Sequence, residues 1–266
     1  MPKLSVLMPC KNLNNSCKKS IASILAQDVD LELIITIDGG ENNLEINDPR
    51  VIVKRFKKNL GPSCATNYCY KYSTGDYITV HDDDDDWSHP NRYRILSNEI
   101  KGNRVITSNI NVIEDGKCYT KYFNTLNFIH ANKVKPPAHH CATIIRRDLW
   151  EELGNYDERF IVSDSIRMIR LGMYLLIKQE PFIVYDEPLY NYVVRDGSLS
   201  STIKWEVEAK RTRYHILKAY KEHKREPLEF LHSSKLTDIQ MEQTDAQRNK
   251  DFWRKIEILA MGNGAK

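Results

Sequence analysis

One feature constrains the fold more than any other: in the first hundred residues, short apolar runs of strand character alternate with stretches of helical spacing. Leu4 to Met8, Leu31 to Ile37, Val51 to Val53 and Tyr77 to His81 are short and rich in Val, Ile and Leu, which predicts strands. Between them, Ser20 to Leu25 puts Ile21, Ile24 and Leu25 on one helical face. Pro62 opens a second helix at its first turn, where the missing N–H costs nothing. Strand, helix and strand in repetition predict an α/β fold with a mostly parallel sheet flanked by helices. Such sheets bind ligands beyond the carboxyl ends of their strands. The loops after Met8, Ile37 and His81 are therefore where chemistry is expected.

From Val105 onward the pattern loosens. Strands are expected at Val105 to Asn111 and Ala142 to Ile145, and helices at Arg147 to Leu153 and Asp164 to Ile177. Two further strands are expected at Phe182 to Tyr185 and Leu189 to Val194. One domain is expected over 1–202, in two halves over 1–100 and 101–202, followed by a helical C-terminal extension over 203–266. That extension holds 14 Lys or Arg against 10 Asp or Glu, whereas the whole 266-residue chain has 39 against 36 and a net charge of +3. So small and dispersed a surplus argues against nucleic acid as a partner. No window offers the roughly 20 apolar residues of a membrane span. The N-terminus runs into a strand without the apolar stretch of a signal peptide, so a cytoplasmic address is expected. The six cysteines are irregularly spaced, which suits reduced thiols.

The residues with the strongest chemical signal are Asp82, Asp83, Asp84, Asp85 and Asp86, directly after the Tyr77-Ile78-Thr79-Val80-His81 run. Like charges this close repel, and a hard divalent cation such as Mn²⁺ or Mg²⁺, with the phosphate oxygens of a nucleotide, would offset them. The plainer alternative is a solvated loop leading into a helix near Pro90, with Asp86 or Ser88 as its N-cap. A second signal is Asp38-Gly39-Gly40 at the end of another apolar run. There Asp38 could accept a hydrogen bond from a ligand N–H while the glycines permit close backbone approach, although Asp-Gly is also a common turn. His139, His140 and Cys141 form a third group, but one cysteine without a second ligand pair reads as structural rather than as a zinc site.

Taken in order, Leu4 to Asn12, Ser20 to Gln27, Glu32 to Gly40, Asn59 to Asn67, Gly75 to Pro90, Leu153 to Phe160, Ser163-Asp164 and Tyr192 to Ser200 resemble the family 2 glycosyltransferases of the GT-A fold. The resemblance covers roughly residues 3 to 202, and it makes the half over 1–100 nucleotide-binding and the half over 101–202 acceptor-binding. It implies transfer of a sugar from a nucleoside diphosphate sugar with inversion at the anomeric carbon. It also implies a metal on an Asp-x-Asp motif that reads Asp82-Asp83-Asp84, with Asp84 as direct ligand and Asp82 nearer the ribose or the metal. The two further aspartates leave the register open by one residue. Pro9 and Asp38 would contact the nucleoside, and a carboxylate accepting an imide N–H would select a pyrimidine, hence UDP.

The family's Glu-Asp pair reads Ser163-Asp164 here, making Asp164 the implied general base, and Arg195 stands where a histidine often approaches the diphosphate. Lys11 replaces a base-stacking aromatic residue, and Thr66 replaces a common Arg. Lys11 could compensate as a cation near the phosphates. A glycan or glycoconjugate acceptor is implied, engaged by residues 112–140, which include Tyr119, Tyr122, Phe123 and Phe128. Transfer would be non-processive, because no Gln-x-x-Arg-Trp motif is present. Packing of the extension on the catalytic domain is expected, with self-association or peripheral contact with an anionic membrane left open. Two rivals remain: a sugar-nucleotide nucleotidyltransferase, which expects a Gly-rich loop after the first strand, and a binding module that keeps the fold without turnover.

Overall fold

A computed structural model describes residues 2–83, 86–123, 129–130, 133–134, 136–158, 163–178 and 180–195. The expected metal ligand Asp84, its neighbour Asp85, Phe128 and the extension over 203–266 lie outside the described residues. The first half follows the alternation in the sequence. Strands β1 (Leu4–Cys10), β2 (Leu31–Ile37), β3 (Val51–Arg55) and β4 (Tyr77–Val80) are joined through helices α1 (Lys18–Leu25) and α2 (Pro62–Lys71). They lie side by side in the order β3-β2-β1-β4, all parallel. Every residue of β2 is buried, because a parallel strand in the middle of a sheet is covered on both faces and reads as a continuous apolar run.

Side chains alternate between two cores. Leu7 and Ile34 face one, where they meet Cys69 of α2, while Val6, Met8, Leu33 and Ile35 face the other with Ile21 and Ile24 of α1. Each Ile or Leu so buried contributes about 2 kcal/mol.

Beyond β4 the sheet becomes mixed. After the short strand β5 (Trp87–Ser88) and helix α3 (Arg92–Glu99), strand β6 (Val105–Glu114) turns at Asp115-Gly116 into β7 (Lys117–Lys121). The small pair β8 (Ile129–His130) and β9 (Lys133–Val134) is followed by β10 (Thr143–Arg146), α4 (Arg147–Leu153), α5 (Ser163–Lys178) and β11 (Ile183–Val193). The sheet order continues β4-β10-β6-β11-β5, with β7 beside β6. Strand β10 runs antiparallel to both β4 and β6, and β11 runs parallel to β6. The parallel character expected from the sequence therefore holds through the first four strands and returns only in the β6–β11 pair, with antiparallel β10 between them.

Three local expectations need correction. The two strands anticipated around Phe182 to Val194 are one strand, whose pairing with β6 shifts register on either side of Pro188. Proline has no N–H to give the ladder, so the strand bends there and continues. Asp86 and Ser88 do not cap a helix: Ser88 belongs to β5, and α3 begins at Arg92 behind Asn91. The segment expected to form an acceptor loop begins as the ordered β6–β7 hairpin, with Tyr119 and Tyr122 exposed on it.

Candidate active site at the carboxyl ends of the strands

The antiparallel pairing of β10 with β4 builds the site. Ile144 sits opposite Thr79 and Ile145 opposite Ile78, so residues just before β10 lie beside residues just after β4. A 3-10 turn over His140–Ala142 delivers His139, His140 and Cys141 to His81 and Asp82. His140 Nε2 lies 3.6 Å from Asp82 Oδ2 and 3.2 Å from Cys141 Sγ.

Burial opposes the charge of Asp82, but His140, His139 and the Cys141 thiol outweigh it and hold the carboxyl below the usual range. Burial likewise opposes the charge of His140, yet Asp82 holds its imidazolium and raises its pKa. The pair is a partly buried ion pair. His81, fully buried, donates its Nδ1–H to the Asp82 backbone oxygen over 2.8 Å, and burial pushes its pKa down to about 4. Neutral histidine follows.

The run of five aspartates divides by role once it is placed. Asp82 faces the site, with its side chain 29% exposed, and the charge of Asp83 reaches Cys10 at the end of β1. Asp86 is fully buried and committed to β11: Oδ1 accepts from the Val193 N–H at 2.7 Å and Oδ2 from the Tyr190 hydroxyl at 2.8 Å. It holds β11 against the loop. Both Asp86 oxygens are thus engaged by β11, a difference from Asp82 that no local pattern reveals because the five residues are chemically identical.

Asp164 stands at the second position of α5, in the helix's first turn. Burial raises its pKa, partly countered by His140, while the charge of Asp82 raises it further, so the carboxylate shares one electrostatic environment with both. Ser163, in place of the expected glutamate, shares a 2.5 Å hydrogen bond with Ser63 of α2 and ties the two helix N-termini together. Arg195 lies two residues past β11 and is half-buried.

The residues expected to contact a nucleoside come from the ends of β1 and β2. Pro9 is half-buried opposite Thr36, and Lys11 is exposed just past β1. Asp38 is buried, and its two oxygens accept the Leu60 N–H at 2.6 Å and the Gly61 N–H at 2.8 Å. Burial raises its pKa while those amides and the charge of Lys11 pull the other way. Its visible work is to hold the turn that starts α2, although each oxygen keeps a further lone pair for a ligand.

The two glycines also serve the chain itself. A Cβ on Gly39 would meet the backbone of Lys58 and Asn59, and one on Gly40 would meet the Lys11 carbonyl and the Asn12 side chain. The loops after β1, β2 and β3 thus pack directly on one another. Thr66 donates to the Pro62 carbonyl within α2 and is buried, so it does not substitute for a phosphate-binding arginine.

Against known proteins, glycosyl transferase family 2 matches residues 5–154. The chain belongs to this family of glycosyltransferases. It is 27% identical over 215 residues to the minor teichoic acid biosynthesis protein GgaB of Bacillus subtilis, covering 73% of this chain and 23% of that protein. It is 25% identical over 149 residues to the UDP-Glc:alpha-D-GlcNAc-diphosphoundecaprenol beta-1,3-glucosyltransferase WfgD of Escherichia coli, covering 53% of this chain and 59% of that one. In each case the chain spans less than two thirds of the relative's length. Among solved structures, S. aureus TarS 1-349 in complex with UDP-GlcNAc aligns with a TM-score of 0.61 at 17% identity, over 86% of this chain and 71% of that chain. That likeness supports the GT-A type α/β fold. Among the described residues, no helix is long and apolar enough to cross a membrane.

Proposed function

We propose that the protein is a metal-dependent, inverting glycosyltransferase that moves one sugar per encounter from a UDP-sugar to a hydroxyl of a glycan or glycoconjugate. The observation that carries this reading is the convergence of Asp82 and Asp164, from opposite halves of the chain, on His140. UDP as donor nucleotide is supported by the UDP-GlcNAc complex of the fold neighbour and by the donor in the name of the Escherichia coli relative. The same name supports a lipid-diphosphate-linked glycan as the kind of acceptor.

The residues suit a divalent cation: partly exposed carboxylates cluster at the strand end, and an imidazole nitrogen beside them is buried without a partner. Asp82 and Asp84 would hold Mn²⁺ or Mg²⁺, which offsets the charge developing on the leaving diphosphate. Asp164 accepts the proton of the acceptor hydroxyl as its oxygen attacks the anomeric carbon, and the bond from that carbon to the diphosphate breaks on the opposite side. The raised pKa of Asp164, caused first by burial, strengthens it as a base. Pro9 and Asp38 hold the nucleoside, Asp83 accepts from the ribose hydroxyls, and Lys11 and Arg195 supply cationic donors to the diphosphate oxygens. The GT-A domain ends near residue 202.

Calorimetric titration of UDP with and without Mn²⁺, repeated on Asp84→Ala and with GDP as competitor, tests the donor site. Binding that requires the metal and Asp84 and prefers UDP is expected. UDP that fails to bind under every metal condition sinks the pyrimidine assignment of Asp38. Asp164→Asn should then abolish transfer while leaving UDP affinity within about threefold, a loss confined to the transition state.

A further inference from the structure

We propose a second metal-binding mode at the mouth of the site: a thiophilic cation of the zinc class held by Cys141, His140, His139 and Asp82. In the sequence the three consecutive residues lack a fourth donor; the β4–β10 pairing supplies it as Asp82. A tetrahedral zinc ion with bonds of about 2.0–2.3 Å needs donor atoms roughly 3.3–3.8 Å apart. His140 Nε2 meets this toward Asp82 Oδ2, at 3.6 Å, and comes within about 0.1 Å of it toward Cys141 Sγ, at 3.2 Å. One potential ligand atom from each of His139, His140 and Cys141 lies within 4.8 Å of the others. His139 Nδ1 is buried with no hydrogen-bond partner. A buried imidazole nitrogen without a partner is costly, and coordinating a cation removes that cost.

The donor set decides the class of ion. Imidazole and thiolate suit Zn²⁺ and its congener Co²⁺, whereas Mg²⁺ and Mn²⁺ prefer oxygen. The two modes share Asp82, so an ion drawn inward to Cys141 takes that carboxylate from the nucleotide. Zn²⁺ is then a competitor of metal-assisted UDP binding. The binding mode itself needs neither nucleotide nor sugar, and it stands or falls separately from the transferase reading.

The test is titration of the full-length protein with Co²⁺ alone, followed by absorption spectroscopy. The expected result is a thiolate-to-cobalt charge-transfer band in the near ultraviolet, displaced by Zn²⁺ and unchanged in Cys118→Ser, which removes the exposed thiol of β7. Cys141→Ser should remove the band. His140→Ala and Asp82→Asn, which leave the core thiol in place, should each weaken Co²⁺ binding by about tenfold or more, the scale seen when a metal's supporting shell is altered. The proposal is overturned if no such band forms in the wild type, or if the band survives Cys141→Ser or disappears in Cys118→Ser. It is equally overturned if both His140→Ala and Asp82→Asn bind Co²⁺ as tightly as the wild type.

Discussion

The two halves of the sheet are held together by different forces. In the parallel half, β1 to β4 with α1 and α2, the strand interiors are apolar. The buried charges sit at the strand ends, Glu32 at the amino end of β2 and Asp38 just past its carboxyl end. In the mixed half, from Asp86 onward, charge lies inside the packing. Arg92 is fully buried, donating to Ser88 Oγ at 3.0 Å and to the Cys141 carbonyl, with its guanidinium 5.1 Å from the Tyr190 ring.

Arg167 and Arg170 of α5 are buried too. They donate to carbonyls at the end of α4: Arg167 to Gly154, and Arg170 to Leu153 at 2.7 Å and Asn155 at 3.1 Å. Those carbonyls are the groups a helix leaves unpaired at its C-terminus. Arg167 also lies 3.8 Å over the Trp150 ring. Both halves have apolar cores, but among the described residues only the mixed half adds buried arginines held by specific polar pairs. The candidate site residues Asp82, His140 and Asp164 lie along the seam between them.

The comparison is broken or sharpened first by volume-conserving substitution. Arg92→Met keeps bulk but strands the Cys141 carbonyl and the Ser88 hydroxyl, and should cost about 3–4 kcal/mol in urea unfolding. Ile34→Val in the parallel half should cost only about 1 kcal/mol. Equal costs would mean that the buried arginine network is not what holds the mixed half.

Next comes the division among the aspartates. Asp86→Asn turns an N–H toward a donor and should cost about 2–3 kcal/mol, seen as a melting temperature lowered by roughly 4–10 °C. Asp82→Asn should leave melting closer to wild type and instead weaken UDP–Mn²⁺ binding. A reversed pattern would exchange the roles assigned to the two residues.

A third measurement concerns pH. Burial opposes the charge of Glu32, but Lys3 at 2.7 Å, Ser5 at 2.7 Å and the Thr74 amide hold its pKa down to about 2. Because the folded value lies below the unfolded one, the stabilisation is present above about pH 4.5 and is lost as pH falls toward 2. Glu32→Gln should remove on the order of 2 kcal/mol at neutral pH and flatten the stability profile between those values. A profile as steep as that of the wild type would count against this network.

The smallest effects are at glycines. Gly40→Ala forces apart the loops after β1 and β2 and should cost about 2 kcal/mol and reduce UDP affinity. Gly61→Ala meets no atom and strains only a residue at φ +96, for about 1 kcal/mol. Equal UDP affinities in the two variants would detach the packed loops from nucleotide binding.

Much of the parallel half was legible in the sequence. The range Leu31 to Ile37 is the strand observed, Pro62 is the first residue of α2, and even Arg147 to Leu153 in the second half is the helix observed. These elements announce themselves because burial repeats at the period of the backbone, a property of neighbouring residues alone. The bend at Pro188 and the short strand at Trp87–Ser88 were missed for the opposite reason. Their partners lie far along the chain, and β5 exists only because Tyr190 and Asn191 pair with it. The site was legible as a set of residue types and illegible as a set of contacts.

The sequence by itself determined the α/β alternation, the strand ends where ligands bind, and the presence of carboxylates there. Only the tertiary structure decided which carboxylate does what. Asp82 and Asp86 are identical in chemistry and neighbours in sequence, yet the antiparallel docking of β10 gives one to His140 while the return of β11 buries the other under Tyr190. Local pattern is set by the chain's own period, whereas charge placement is set by which distant segment arrives beside it, and that is settled only when the whole sheet closes.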